Sequence, residues 1–464
     1  MTAATTSLKP AAPRTWRVGM LGCGVVGQGV VKLFNKHRED FKRNGFDLQL
    51  TQVAVRDGKK TRDVDLAGVK VTLDPLAVAK SPDVDMLIEV MGGNTSAVEA
   101  ACVALSRGVP VISANKAGLA RSLTRYLEAG KAGNASVAFE AACAAHIPII
   151  EALDRSLACE EISLIKGVIN GSTNYILTLM ERSGCDFAEA LADASAKGFT
   201  EADPSLDVDG IDAAEKLSLL AYKAFGVHTP PDQIHTEGIR NISREDMELA
   251  RQLGHRIKLI ASARRVDGQL SVSVHPALVH VGELLADVDS EFNAIILEGP
   301  AFKELTFLGK GAGQLPTASA VLNDCIKFAR GMGNAAALPG FNKSAHAPTP
   351  GARTTALSFC YFLRLPVISA GVVDGIAAFL EQQNVKVLSR AVAKNQSGEF
   401  LGLITDVVKE SRLQHLLRTL SRVDGVTGDA SFIRLDKDNY REIVELEQRA
   451  YFGTSLQRES RAGV

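Results

Sequence analysis

The stretch Gly22-Cys23-Gly24-Val25-Val26-Gly27 constrains the fold of this chain more than any other. A short apolar strand candidate, Arg17–Leu21, precedes it, and a helical pattern from about Gly27 to Lys36 follows. The first glycine permits a tight turn and the second lets a ligand come close to the main chain. The third lets the helix pack against the strand. Such a turn aims unpaired N–H groups and the positive end of a helix dipole at a phosphate. Glycines recur by chance in turns, but with a strand before and a helix after, the motif reads as dinucleotide binding.

The rest of the first third agrees. Leu48–Val55 alternates like a strand, and Val84–Val90 is a compact apolar run of the kind buried parallel strands show. Ser96–Arg107 reads as an alanine-rich helix stopped by Gly108, and Val109–Ser113 as another strand. This β-α-β order predicts an α/β Rossmann domain over residues 16–150, after a disordered tail at 1–15.

Residues 151–335 predict an α+β substrate and dimerisation domain, with the chain returning to the Rossmann domain near 311–335. Ser163–Val168 is strand-like; Asn174–Arg182, Phe187–Ala196 and Gly210–Phe225 look helical; short strands separated by turns follow Leu270. Residues 336–355, rich in proline and small residues, read as a linker. Residues 356–440 show a β-α-β-β-α-β pattern, predicting a ferredoxin-like module. Its strands lie near Ser358–Val367, Val385–Val392, Phe400–Val407 and Ala430–Leu435, its helices near Asp374–Gln383 and Lys409–Val423. Residues 441–464 form a tail.

Lys plus Arg total 52 and Asp plus Glu 53, a net charge of −1, which leaves no electrostatic footprint for nucleic acid or an anionic membrane. The seven cysteines lack CxxC spacing, which argues against a zinc site or a disulfide framework. No segment approaches the ~18 apolar residues of a membrane span. A cytoplasmic protein is expected.

The end of the second strand bears on the cofactor. An acidic residue there holds a ribose 2′-OH, whereas an arginine accommodates a 2′-phosphate. The chain reads Arg56-Asp57-Gly58-Lys59-Lys60. Arg56 and Lys59 favour NADP, and Asp57 leaves NAD open.

Three more stretches stand out. Ser113-Ala114-Asn115-Lys116 ends a strand on the side of the sheet where ligands bind. Gly198–Lys216 gathers Glu201, Asp203, Asp207 and Asp209 ahead of Asp212 and Lys216, which share a helix face. Taken alone, Asp212 and Lys216 read as an ordinary surface ion pair. The crowding of carboxylates suits an amino-group ligand or a lysine held charged. Gly309–Ala318 is a glycine-rich loop that lets backbone approach a ligand.

Together these stretches resemble the homoserine dehydrogenases from about Arg17 to Arg330. Further markers are Glu89-Val90-Met91-Gly92-Gly93, Gly167-Val168-Ile169-Asn170-Gly171-Ser172-Thr173-Asn174-Tyr175 and Gly311–Ala318. The C-terminal module resembles the ACT regulatory domain attached to many members. The resemblance implies reversible NAD(P)H-dependent reduction of L-aspartate 4-semialdehyde to L-homoserine, on the route to threonine, methionine and isoleucine. It implies Lys216 as catalytic lysine, Asp212 as its acidic partner and Lys116 as a second active-site lysine. Glu201, Asp207, Asp212 and Gly198 would bind substrate. Gly22, Gly24, Val25, Val26, Gly27, Arg56, Lys59, Gly92, Ser113, Lys116 and Gly313 would bind the cofactor. A homodimer or homotetramer is implied.

The resemblance also implies a monovalent cation, sodium, in a loop of the form Glu-Ala-x-Val-x-Gly-Gly-Ile-Pro. Here that loop reads Glu140-Ala141-Ala142-Cys143-Ala144-Ala145-His146-Ile147-Pro148, leaving Glu140, Cys143, Ala145 and Ile147 as candidates. Both glycines are replaced, which strains the loop if those positions need φ > 0. The usual ACT Asp-x-Pro-Gly turn is Ile368-Ser369-Ala370-Gly371 here. That departure weakens the case for threonine control and leaves another amino-acid effector open. Two rivals stand beside this reading: an aldehyde-handling enzyme with Cys143 as nucleophile, and a nucleotide-sensing regulator without catalysis.

Overall fold

The computed structural model describes residues 13–200, 203–266, 268–332, 349–350 and 358–436. Glu201, most of the expected tails and most of the 336–355 linker lie outside the described residues. The chain forms two compact units, Met1–Ile165 with Ala214–Ile234 and Ile295–Thr349, and Lys166–Ala213 with His235–Ala294 and Pro350–Val464.

The first unit opens with β1 (Arg14–Leu21), α1 (Val25–Arg43), β2 (Phe46–Ala54), β3 (Lys70–Thr72), α2 (Pro75–Ala79), β4 (Met86–Glu89), α3 (Ser96–Ser106), β5 (Val111–Ser113), α4 (Lys116–Gly133) and β6 (Val137–Ala138). Its six strands pair in parallel in the order β3-β2-β1-β4-β5-β6. Strand order reverses between β1 and β4, which opens a crevice at their carboxyl ends. Val18, Met20, Met86, Ile88 and Ile112 fill the core, as expected for strands covered on both faces. Arg14 and Thr15, placed in the tail by the sequence, belong to β1. Helix α1 outruns the expected Lys36 end because Phe41 is buried against Phe34 and Phe46, with ring centroids 6.5 and 5.6 Å away.

Two short helices, α5 (Glu140–Ala144) and α6 (Ile149–Glu151), lead to β7 (Leu164–Val168). Then come α7 (Gly171–Ser183), α8 (Phe187–Ala196), α9 (Ser205–Val208), α10 (Ile211–Phe225), β8 (His235–Thr236) and α11 (Arg244–Gln252). Strands β9 (His255–Val266) and β10 (Gln269–His280) form one antiparallel hairpin, paired from Val266↔Gln269 to His255↔His280. This corrects the expectation of short strands beyond Leu270. Strands β11 (Phe292–Gly299) and β12 (Lys303–Lys310) precede α12 (Gln314–Ala329). Helix α12 packs on α1 where Gly29 has no side chain: a Cβ there would lie 2.9 Å from that of Ala318.

The chain resumes with β13 (Thr349–Pro350), which pairs with β10 and so is strand where linker was expected. Then come β14 (Ser358–Phe359), β15 (Tyr361–Val367), α13 (Val373–Gln382), β16 (Val387–Asn395), β17 (Gly398–Thr405), β18 (Val408–Lys409), α14 (Glu410–Leu420) and β19 (Ser431–Leu435). Strands β15, β16, β17 and β19 run antiparallel in the order β19-β15-β17-β16. They do not stand alone as a separate small sheet. β19 pairs in parallel with β10, at Ala277↔Arg434 and Leu278↔Leu435. The buried Arg434 guanidinium binds Glu410 at 2.5 Å and Glu237 at 2.8 Å, fastening that junction. Among the described residues no helix is long and apolar enough to cross a membrane.

Candidate active site

The glycine turn lies at the crevice of the parallel sheet. Gly22 has φ +98°, and a Cβ there would come within 2.7 Å of the Met91 backbone. A Cβ at Gly27 would come within 2.5 Å of the Gly22 carbonyl. Gly24 has no atom within 4 Å of a built Cβ, so its main chain faces open space. It caps α1 without any side-chain bond, and Val25 and Val26 open the helix. Two sterically obligatory glycines around one open glycine fit the approach of a dinucleotide pyrophosphate.

A polar web supports this turn from below. Buried Glu89, at the end of β4, accepts hydrogen bonds from Met91 N (3.0 Å), Gly92 N (3.2 Å) and Ser113 Oγ (2.8 Å). Burial pushes its carboxyl pKa up. Asn115 caps α4 through Gly118 N and donates to the Gly93 carbonyl at 2.7 Å. The Ser113 hydroxyl is therefore engaged inside the fold, while Gly92 is exposed with φ +72°. Lys116 is the first residue of α4 and half-buried. Gly313 caps α12 with φ +129°, and the next residue, Gln314, donates to the Val25 carbonyl at 2.9 Å. The expected glycine loop thus ends in a helix start beside α1. Arg56 and Lys59 are exposed after β2.

The acidic stretch gathers around a residue that spacing did not single out. Asn170 caps α7 through Thr173 N at 2.8 Å. Its amide nitrogen donates to Asp207 Oδ1 at 2.7 Å and to Asp212 Oδ2 at 2.9 Å. Asp212 lies in the first turn of α10, and Lys216 one turn further on the same face. Asp212 is 9% exposed and Lys216 8%, which rules out the surface ion pair that spacing alone suggested. Asp209 instead pairs with Arg240 at 2.5 Å, and Asp203 accepts from Ser205 N at 3.0 Å. Those two carboxylates hold the loop. Gly198, with φ +76°, closes α8 just before the undescribed Glu201.

A nucleotide crevice and a buried acid–lysine face are the parts a dehydrogenase needs, and comparison with known proteins agrees. Residues 22–140 match the homoserine dehydrogenase NAD binding domain, and residues 148–326 match the homoserine dehydrogenase family itself. The homoserine dehydrogenase of Corynebacterium glutamicum is 36% identical over 428 residues, covering 91% of this chain and 96% of its own. The crystal structure of a homoserine dehydrogenase from Thiobacillus denitrificans superposes with TM-score 0.84 at 33% identity, covering 92% of this chain and 99% of that one. The chain belongs to the homoserine dehydrogenase family. Homoserine dehydrogenases are NAD(P)-dependent oxidoreductases of amino-acid biosynthesis. A hyperthermophilic archaeal homoserine dehydrogenase in complex with NADPH also matches, with TM-score 0.58, 28% identity, and coverage of 68% of this chain and 97% of that one.

The Glu140–Pro148 loop carries Ala145 and His146 at the two positions where glycine was expected. Ala145 adopts φ +49°, a conformation glycine takes without cost and alanine does not. His146 is exposed. The Glu140 carboxylate accepts from Ile150 N (2.9 Å) and Glu151 N (2.8 Å), and burial with nearby Asp324 pushes its pKa up to about 7. Among the described residues no group of three or more His, Cys, Asp or Glu is placed to hold a metal ion. A cation here would therefore depend on main-chain carbonyls.

Cys143 is fully buried, and burial first, then the Glu140 charge, push its thiol well up. Lys216 and Lys223 act in the opposite sense but do not prevail. A nucleophilic cysteine needs an accessible, stabilised thiolate, so the rival reading of Cys143 fails on this geometry. Lys223 lies two turns beyond Lys216 on α10, fully buried, and pairs with Asp154 at 2.7 Å.

Proposed function

We propose that this chain interconverts L-aspartate 4-semialdehyde and L-homoserine with NADP, and that Lys216 is its acid–base residue. The observation that carries the reading is the Asn170–Asp207–Asp212 constellation, with Asn170 and Asp212 buried and Asp207 half-buried, at the start of the helix that bears Lys216.

The bound nicotinamide supplies or accepts the hydride. Hydride arrival at the aldehyde carbon leaves negative charge on oxygen, which the Lys216 ammonium stabilises and protonates. In the reverse direction a neutral lysine takes the hydroxyl proton. Asp212 keeps the buried ammonium compensated and oriented, and Asn170 fixes Asp212. Glu201 and Asp207 hold the substrate ammonium, Gly198 gives the loop its turn, and Lys116 serves the substrate and cofactor. Gly22, Gly24 and Gly27 admit the pyrophosphate, while Arg56 and Lys59 select the 2′-phosphate.

Main-chain carbonyls of Glu140, Cys143, Ala145 and Ile147 would hold a sodium ion, the second component. The glycine-like backbone at Ala145, with φ +49°, supports it. A homodimer or homotetramer is supported by Leu305 and Leu308, exposed apolar residues on β12. An amino-acid effector is supported by a cavity of about 600 Å³ lined by Asp246, Arg418, Ser421 and Ser431. The test of the function is homoserine-dependent reduction of NADP by the purified chain. Turnover with homoserine supports the reading; binding of NADP without turnover favours a nucleotide-sensing role.

A further inference from the structure

The segment after β2 contains a second arginine, Arg62, half-buried beside the glycine turn. Its Nε donates to the Cys23 carbonyl at 3.3 Å, inside the turn itself. Its Nη1 donates to the Lys60 carbonyl and its Nη2 to the Asp57 carbonyl, each at 2.8 Å. The guanidinium thus spans from the pyrophosphate turn to the loop that distinguishes the two ribose chemistries.

All three acceptors are neutral carbonyls. The nearest carboxylates in sequence are engaged elsewhere: Asp57 accepts from Lys59 N at 2.8 Å, and Asp63 pairs with Lys32 at 2.8 Å. No carboxylate pairs with Arg62 among the described residues. A guanidinium has five N–H donors; three go to these carbonyls and the Cys23 thiol also lies beside it, which leaves donors to spare and an uncompensated positive charge. Planar paired donors are the arrangement that recognises phosphate. The open space beside Gly24, next to Cys23, is where an anion would arrive.

We propose that Arg62 is a specificity-determining residue of the cofactor crevice, placing its remaining donor capacity on the 2′-phosphate of NADP alongside Arg56. This rests on the NADP reading above. The carbonyl anchors set the guanidinium in place before the cofactor arrives, so little side-chain freedom is lost on binding.

The test is direct binding, read from NADPH and NADH fluorescence and from competition by 2′,5′-ADP and 5′-AMP. Arg62→Gln, which removes the charge and keeps an amide donor, is expected to weaken NADPH and 2′,5′-ADP by about 10- to 100-fold. NADH and 5′-AMP are expected to change less than about twofold. Arg62→Lys, which keeps the charge without the fork, is expected to fall between. Equal losses for NADPH and NADH would overturn the proposal, because Arg62 would then serve the pyrophosphate or only brace the turn. Unchanged NADPH binding would overturn it as well. The wild-type preference for NADPH over NADH reports separately on the NADP reading. If the wild type shows none, the effect of Arg62→Gln on 2′,5′-ADP against 5′-AMP still decides the role of Arg62.

Discussion

Asn170 and Asp212 are joined by a 2.9 Å hydrogen bond, made by the same amide group that binds Asp207 at 2.7 Å. One neutral donor therefore holds two carboxylates in register at the head of the helix carrying Lys216. An amide does this without adding charge, so it leaves the acidic character of the pocket intact while fixing its shape.

Replacing Asn170 by alanine is expected to lower kcat/KM for homoserine by about 10- to 100-fold, since small misplacements of a catalytic group carry costs of that order. NADPH affinity should stay as in the wild type, because the cofactor crevice is built from other residues. Asn170→Asp is expected to do worse, by setting a third carboxylate against two. Steady-state kinetics beside NADPH titrations check this; an unchanged kcat/KM in Asn170→Ala would contradict it.

The three turn glycines should separate by experiment. Gly24→Ala meets nothing within 4 Å in the protein, so its melting temperature should match the wild type. Its NADPH affinity should drop about tenfold or more, because the new methyl group occupies the approach of the pyrophosphate. Gly27→Ala would bring a Cβ to 2.5 Å from the Gly22 carbonyl, and about 1–3 kcal/mol of stability should be lost to that overlap. Urea unfolding and fluorescence titration distinguish the two effects.

Acid sensitivity should trace to His275. Its ring is fully buried, packs edge-on to Phe359 and bonds the Pro276 carbonyl, with Arg434, Glu237 and His235 as its charged or titratable neighbours. Burial, and then the Arg434 charge, bring its pKa down to about 3. An unfolded histidine takes a proton near about 6.5. Between these values the unfolded chain binds a proton that the fold refuses, so stability falls as pH falls. From pH 6.5 to 5 this residue should cost about 2 kcal/mol. His275→Gln should lose that much less over the same interval, and identical pH slopes for the two proteins would refute the assignment.

What was legible in the sequence followed local rules. Helix α8 spans Phe187–Ala196 as the sequence suggests, and a capping box of Asp186 and Glu189 fixes its start. The glycine turn was legible because steric need fixes its spacing. Strand β9 is not legible in the sequence because Lys258 interrupts its apolar pattern. That lysine is buried and bonds the Val288 carbonyl at 2.6 Å and Asp289 at 3.3 Å, a tertiary arrangement no periodicity reveals. Helix α12 was hidden by the glycines before Gln314. Glu89 fell inside a recognised stretch but gave no sign that it would hold Met91 and Gly92. Asn170 and Arg62 act through partners far away in the chain or through carbonyls, and neither kind of contact leaves a spacing signal.

We propose that Lys216 carries the proton transfer of homoserine oxidation. The direct measurement is kcat for homoserine-dependent NADP reduction in the wild type and in Lys216→Ala, with NADPH affinity determined on the same preparations. The account predicts a loss of about 100-fold or more in kcat with NADPH binding retained. Near-normal turnover in Lys216→Ala would contradict it.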